Sequence, residues 1–135
     1  MKIAIHKLIN KVGRRGAFLL FLALLDFVYA FALYFPGAAA ITPIYLYLSN
    51  TAPLEVFATL WAIVGVLCSI YAFRKEDAPA FAAAIFIKAS WAVIFLLGWL
   101  FADVDRGYLT GAVWGAFAAV VGLISTWPDP DKGIE

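Results

Sequence analysis

Two charged residues stand alone in apolar surroundings, and any chemistry this chain performs has to begin with them. Lys88 is the sole charge between Pro79 and Ala102, a run of 24 residues, and Asp26 is the sole charge between Gly16 and Pro36. An ammonium or carboxylate at the centre of a segment long enough to cross a bilayer is costly unless a partner or water meets it. Asp26 lies ten residues beyond Gly16 and Lys88 nine beyond Pro79, about 15 Å and about 13–14 Å at about 1.5 Å of rise per residue. Two spans running the same way would hold these charges at one depth. Ala80, Ala84, Lys88 and Ala92 form an i, i+4 stripe, and Ala23, Asp26 and Ala30 form a similar small-residue face that lets helices approach closely. The expectation is an intramembrane ion pair between Asp26 and Lys88. It would either fix helix register and partner choice, with desolvation cancelling most of the Coulomb gain, or line a polar path or open as a switch. Only Ser90, Thr59 and Ser69 are placed to extend it, and each could bond its own helix backbone instead.

A second set is aromatic. Tyr29, Trp61, Trp91 and Trp114 fall in the outer half of their apolar runs. They read as bulky core packing whose polar tips need partners, with a ligand-binding aromatic box as the alternative. Gly111, Gly115 and Ala119 recur every four residues and make a close-packing face, inside the bundle or between protomers. Trp99, Tyr108, Tyr71 and Trp127 sit near run ends, as interfacial belts do.

The elements that position these residues follow from composition. Hydrophobic residues are 65% of the 135 and charged residues 14%. Soluble chains average about 45–50% and about 25%. The expected fold is all-α: an integral membrane four-helix bundle preceded by an amphipathic N-terminal helix. Residues 1–15 form that basic interfacial helix. Met1, Ile5, Leu8, Ile9 and Val12 recur at helical spacing, while Lys2, Lys7, Lys11, Arg14 and Arg15 offer charge to the membrane surface. Gly13 and Gly16 are the expected bend. The membrane domain covers 16–127, with spans at about 16–36, 54–73, 79–102 and 108–127, and a short polar tail covers 128–135. The first span is longer than a signal-peptide core and holds Asp26, so cleavage is not expected. Residues 37–52 read as an uncharged interfacial loop broken by Pro43. Asn50 or Thr51 is the expected cap of the second span, with Pro53 in its first turn and Glu55 at its positive end.

Charge counts orient the bundle. The N-terminus, the 74–78 turn and the C-terminus carry five, two and one basic residues, and the opposite side carries only Arg106. Both termini are therefore expected in the cytoplasm of a multi-pass inner-membrane protein. The pairs Asp26-x-x-Tyr29-Ala30 with Lys88-x-x-Trp91-Ala92, and Trp61-Ala62 with Trp114-Gly115, hint at two parallel hairpin repeats.

Known catalytic signatures are missing. The one histidine, His6, excludes a multi-histidine zinc site, and the one cysteine, Cys68, excludes an internal disulfide or a multi-thiolate site. HExxH, GxSxG and P-loop patterns do not occur. Neither an enzyme nor a cofactor is expected. The basic N-terminus abuts a span, which speaks against nucleic acid as a partner.

The plan resembles the small four-span membrane proteins of actinobacterial bacteriophages. The residues behind the resemblance are Arg14-Arg15-Gly16, Ala52-Pro53-Leu54 with Trp61, Arg106-Gly107-Tyr108 with Trp114, and Trp127-Pro128-Asp129-Pro130. Members of that group often lack an assigned function, and some are suspected holins. The resemblance, size and span count imply a holin-like homo-oligomer in the host inner membrane that opens it at lysis. The alternatives are an adaptor for another membrane or envelope protein and a small ion-coupled transporter resting on Asp26 and Lys88.

Overall fold

The computed structural model describes residues 2–128, with backbone only for residues 8–12. Met1, the tail from 129 onward and the side chains of Leu8, Ile9, Lys11 and Val12 lie outside the described residues, as do the expectations placed on them.

The fold is all-α. Helix α1 runs Lys2–Tyr34, α2 Pro43–Thr51, α3 Leu54–Tyr71, α4 Ala78–Phe101 and α5 Gly107–Ser125, with a 3-10 turn at Gly37–Ile41. Four segments are long and apolar enough to cross a membrane: Gly13–Tyr34, α3, α4 and α5. The chain bends at Gly13, whose φ of 69° lies in the left-handed region that glycine enters without a Cβ clash. Gly16, by contrast, is helical and buried, so the expected bend falls on one residue.

The expected loop at 37–52 is largely helical. Pro43 begins α2 rather than breaking it, because its fixed φ and missing N–H suit the first helical position. Leu48 is buried, and α2 packs against α3 and α4. Asn50 and Thr51 close α2 instead of capping the next helix, and Thr51 Oγ1 donates to the Tyr47 carbonyl at 3.2 Å. Pro53 forces Ala52 into extended backbone (φ −160°, ψ 161°), so α3 starts at Leu54 as expected but its cap position is Pro53, two or three residues later than expected. Pro53 therefore precedes α3, and Glu55 stands in its first turn. At the far end of α4, Asp103 takes a φ of 54° and the Val104 N–H reaches back to the Gly98 carbonyl at 3.1 Å. Val104 is buried against Gly98, giving a left-handed helix stop with its apolar clasp.

Packing divides the molecule into two hairpins. Helix α1 lies along α3, and α4 lies along α5; α3 meets α4 more sparsely. The backbones of α1 and α4 approach at few points and are joined by long side chains. Leu19, Leu22, Leu33, Trp61, Phe81 and Val121 are almost wholly buried in the centre. The outside is as apolar as the inside: Phe31, Leu60, Ile63, Phe86, Leu100 and Leu123 are exposed. A surface of that kind is stable against lipid chains and not against water. The chain is a small multi-pass membrane protein.

Candidate functional site

The centre of the bundle draws one residue from each spanning helix. On α1, Asp26 is buried at the turn where the small residues Ala23 and Ala30 let the neighbouring helices close in. On α4, Lys88 is flanked on the same face by Ala84 and Ala92. The Lys88 ammonium donates to Asp26 Oδ1 at 3.0 Å, and both side chains are essentially sealed, at 1% and 0% exposure. The rest of the ammonium is met by π faces. The Trp61 ring of α3 lies 5.1 Å away and the Phe117 ring of α5 lies 5.5 Å away. Asp26 Oδ2 and Trp61 Nε1 are buried and find no hydrogen-bond partner among the described residues. Phe117 was not anticipated. It sits three residues after Trp114, the spacing that keeps two side chains on one helix face.

One helical turn further along α1 and α4 lies the aromatic layer, again with one residue per helix. Tyr29 is at its middle, with ring centroids 4.5 Å from Trp61, 5.6 Å from Trp91 and 5.4 Å from Trp114. Trp61 also touches Trp91 and Trp114 at 5.5 and 5.4 Å. The contacts of Tyr29 with Trp91 and Trp114 are edge-on, the geometry ring quadrupoles favour. The Trp91 indole donates to the Tyr29 hydroxyl at 2.7 Å. The rings lie between the ion pair and the α2 end of the bundle. Thr59 donates to the Glu55 carbonyl at 2.7 Å and shares a bond with the Tyr34 hydroxyl at 2.7 Å. Ser69 donates to the Gly65 carbonyl at 2.9 Å, and neither residue extends the pair. Ser90 lines a shallow apolar cleft between α3 and α4 with Phe57, Leu60, Trp61, Phe86 and Trp91.

At the opposite end sits a second cluster that sequence reasoning missed. Arg15 pairs with both oxygens of Asp77 and donates to the carbonyls of Ser125 and Trp127 at 2.6 and 2.8 Å. Its guanidinium lies 4.9 Å over the Phe81 ring. Arg15 is therefore a staple joining α1 to the start of α4 and the end of α5, not a membrane-surface charge. Its planar, five-donor fork suits such a job better than lysine would. The available signal was Asp77, an acid in the turn on the same side of the bundle. Lys2, Lys7 and Arg14 are exposed.

The glycine face turns inward. A Cβ on Gly111 would come within 3.0 Å of the Ala92 carbonyl and of Leu96, and one on Gly115 would meet Ala92 Cβ at 3.8 Å. Ala119 does not join them; it is exposed and Ala118 is buried in its place. A four-residue repeat overshoots the turn of about 3.6 residues, so the third member rotates off the contact. Gly111 and Gly115 are occupied within the molecule, by α4. Among the described residues, no group of His, Cys, Asp and Glu is placed to hold a metal.

Comparison with protein-family models, with curated proteins and with solved structures returned no match.

Proposed function

We propose that the chain is a non-enzymatic, holin-like protein of a bacterial inner membrane, with both termini in the cytoplasm, that gathers into homo-oligomers and opens the membrane at lysis. One observation carries this reading: the buried charge is concentrated where the two hairpins meet. Asp26, Asp77 and Lys88 are the buried charged residues among those described, and each is paired across that seam. Contacts within a hairpin are close and, the Tyr34–Thr59 hydrogen bond aside, apolar: Gly65 lies against Phe27, and Gly107 lies against Phe95 and Trp99. Each hairpin is thus a firm unit, and the seam between them is the polar surface. Closed, the molecule presents an almost wholly apolar girth to lipid, the exposed Thr59 having its hydroxyl bonded within the first hairpin, and is harmless. Opened, each hairpin would carry a face with one acid and one base that water can wet, the kind of face that lines a hole when several copies assemble. Basic residues in the N-terminal arm and the expected phage kinship support the same reading.

Inducible expression in a bacterial host tests it, with a potential-sensitive dye and viable counts as readouts. Collapse of membrane potential with loss of viability is expected. Intact potential, with the protein demonstrated in the membrane fraction, would overturn it.

A second reading, an adaptor for another membrane or envelope protein, is favoured by the uncharged segment at the α2 end. Ile41 is 79% and Leu46 50% exposed there. Co-purification of a single stoichiometric partner without permeabilisation selects this reading.

A further inference from the structure

Three hydrogen-bonded side-chain pairs that join the α1 face to the α4 face share one number. Arg15 with Asp77, Asp26 with Lys88 and Tyr29 with Trp91 are each 62 positions apart. Parallel helices in fixed register keep such a separation constant, so this alone says that α1 and α4 run together without slipping. The same shift, however, also superposes their buried faces. Leu19, Leu22, Asp26, Ala30 and Leu33 are buried, and so is the residue 62 positions beyond each. The second helix of each hairpin follows with a shift of 53: Ala58, Gly65 and Cys68 on α3 answer to Gly111, Ala118 and Val121 on α5, all buried. Trp61 answers to Trp114 by that shift. The difference between the shifts equals the nine residues of α2. The molecule is built as two like hairpins, the first with α2 added in its connection.

Like units that run parallel and turn equivalent faces toward each other are related by a twofold axis along the membrane normal. Equivalent positions meet at such an axis. Here those that meet are opposite in charge, and the order alternates with depth. The first hairpin reads Arg15 then Asp26, and the second reads Asp77 then Lys88. A first hairpin facing a copy of itself would set Asp26 against Asp26 and Arg15 against Arg15. A second hairpin facing its own copy would set Lys88 against Lys88. Only unlike hairpins satisfy both levels, which is specificity by exclusion as well as by attraction.

We propose that this seam is an interaction surface whose partner is the complementary hairpin of a second copy of the chain. Within one molecule it closes the bundle. Between molecules the first hairpin of one copy pairs with the second hairpin of the next, giving exchanged dimers and longer chains. The turn at residues 72–77 is the only covalent tie between the hairpins, so exchange breaks no pairing that it does not remake. The proposal is defined by assembly and does not depend on lysis.

Full-length variants test it. Arg15→Asp in one tagged chain and Asp77→Arg in another each put like charges at one level of the seam, both within a chain and between identical copies. Co-expressed, the two restore both unlike pairs only by exchanging hairpins. Capture of one tag is expected to recover about tenfold more of the complementary variant than of a same-variant partner. The chain carrying both changes restores the charge pair internally, though not the bonds of Arg15 to the Ser125 and Trp127 carbonyls, and is expected to accumulate above either single variant, with recovery back at the wild-type level. Asp26→Lys with Lys88→Asp repeats the test at the midplane. Equal recovery from mixed and same-variant pairs overturns the proposal. So does accumulation of the Asp26→Lys, Lys88→Asp chain no better than that of its single variants, because the two faces are then not equivalent. No leakage is read, so failure here is separate from failure of the lysis assay.

Discussion

The Trp91 indole and the Tyr29 hydroxyl meet at 2.7 Å, three residues along their helices from Lys88 and Asp26. One register therefore serves both the charge pair and the aromatic layer beside it. A slip of α4 against α1 would break the two together. The seam can thus be probed at either point, and the expected responses differ in size.

Removing one charge of the central pair leaves the other buried and unmatched. Asp26→Leu and Lys88→Met are each expected to lower stability by about 3–5 kcal/mol, while the two combined lose much less. A double-mutant cycle from unfolding in detergent micelles checks this. Additive losses would show that the contact carries no coupling.

Tyr29→Phe deletes the acceptor of the Trp91 N–H and leaves a buried donor unsatisfied. The expected cost is about 1–3 kcal/mol. In a Trp91→Phe background the donor is gone, and the same change is expected to be nearly neutral. Thermal unfolding of the four proteins measures the difference.

Neighbouring arginines should behave unlike each other. Arg15→Gln loses a carboxylate pair and weakens the hold on the Ser125 and Trp127 carbonyls, and is expected to destabilise by about 1.5–3 kcal/mol. Hydrogen exchange should rise at the end of α5. Arg14→Gln, at an exposed position, is expected to stay within about 0.5 kcal/mol of wild type.

Glycines on one helix should also separate. A Cβ on Gly107 would fall 2.6 Å from the Phe95 carbonyl and 2.8 Å from Trp99 Cβ, both close to backbone that cannot yield. Gly107→Ala is expected to cost about 1–3 kcal/mol by overpacking. Gly115→Ala meets its nearest neighbour at 3.8 Å and is expected to be tolerated or slightly stabilising, since alanine favours helix. Melting temperatures of the two variants decide it.

Much of the architecture could be read from the residues. Each span is set by a long apolar run, a signal strong enough to place four helices to within a few residues. The isolated charges Asp26 and Lys88 were conspicuous because nothing else around them is polar. What stayed hidden has three physical sources. Pro43 and Pro53 are compatible with either a break or a helix start, so α2 was read as loop. Arg15 lies in a basic cluster where composition treats five cations alike, and only the fold shows which one turns inward. Ala119 was assigned by a repeat of four, and the small angular error of that repeat accumulates until the residue faces outward. Asp77 and Phe117 were marked only by place, an acid in the turn on the side of Arg15 and a ring on the face of Trp114, and neither mark names its partner.

Gly13 concentrates the change of direction between the basic arm and the first span into one peptide. The arm therefore leaves the line of the span before Arg15, whose backbone two residues further on is already helical. Any residue with a Cβ at that position would resist the left-handed turn and push the arm back toward the axis of the span.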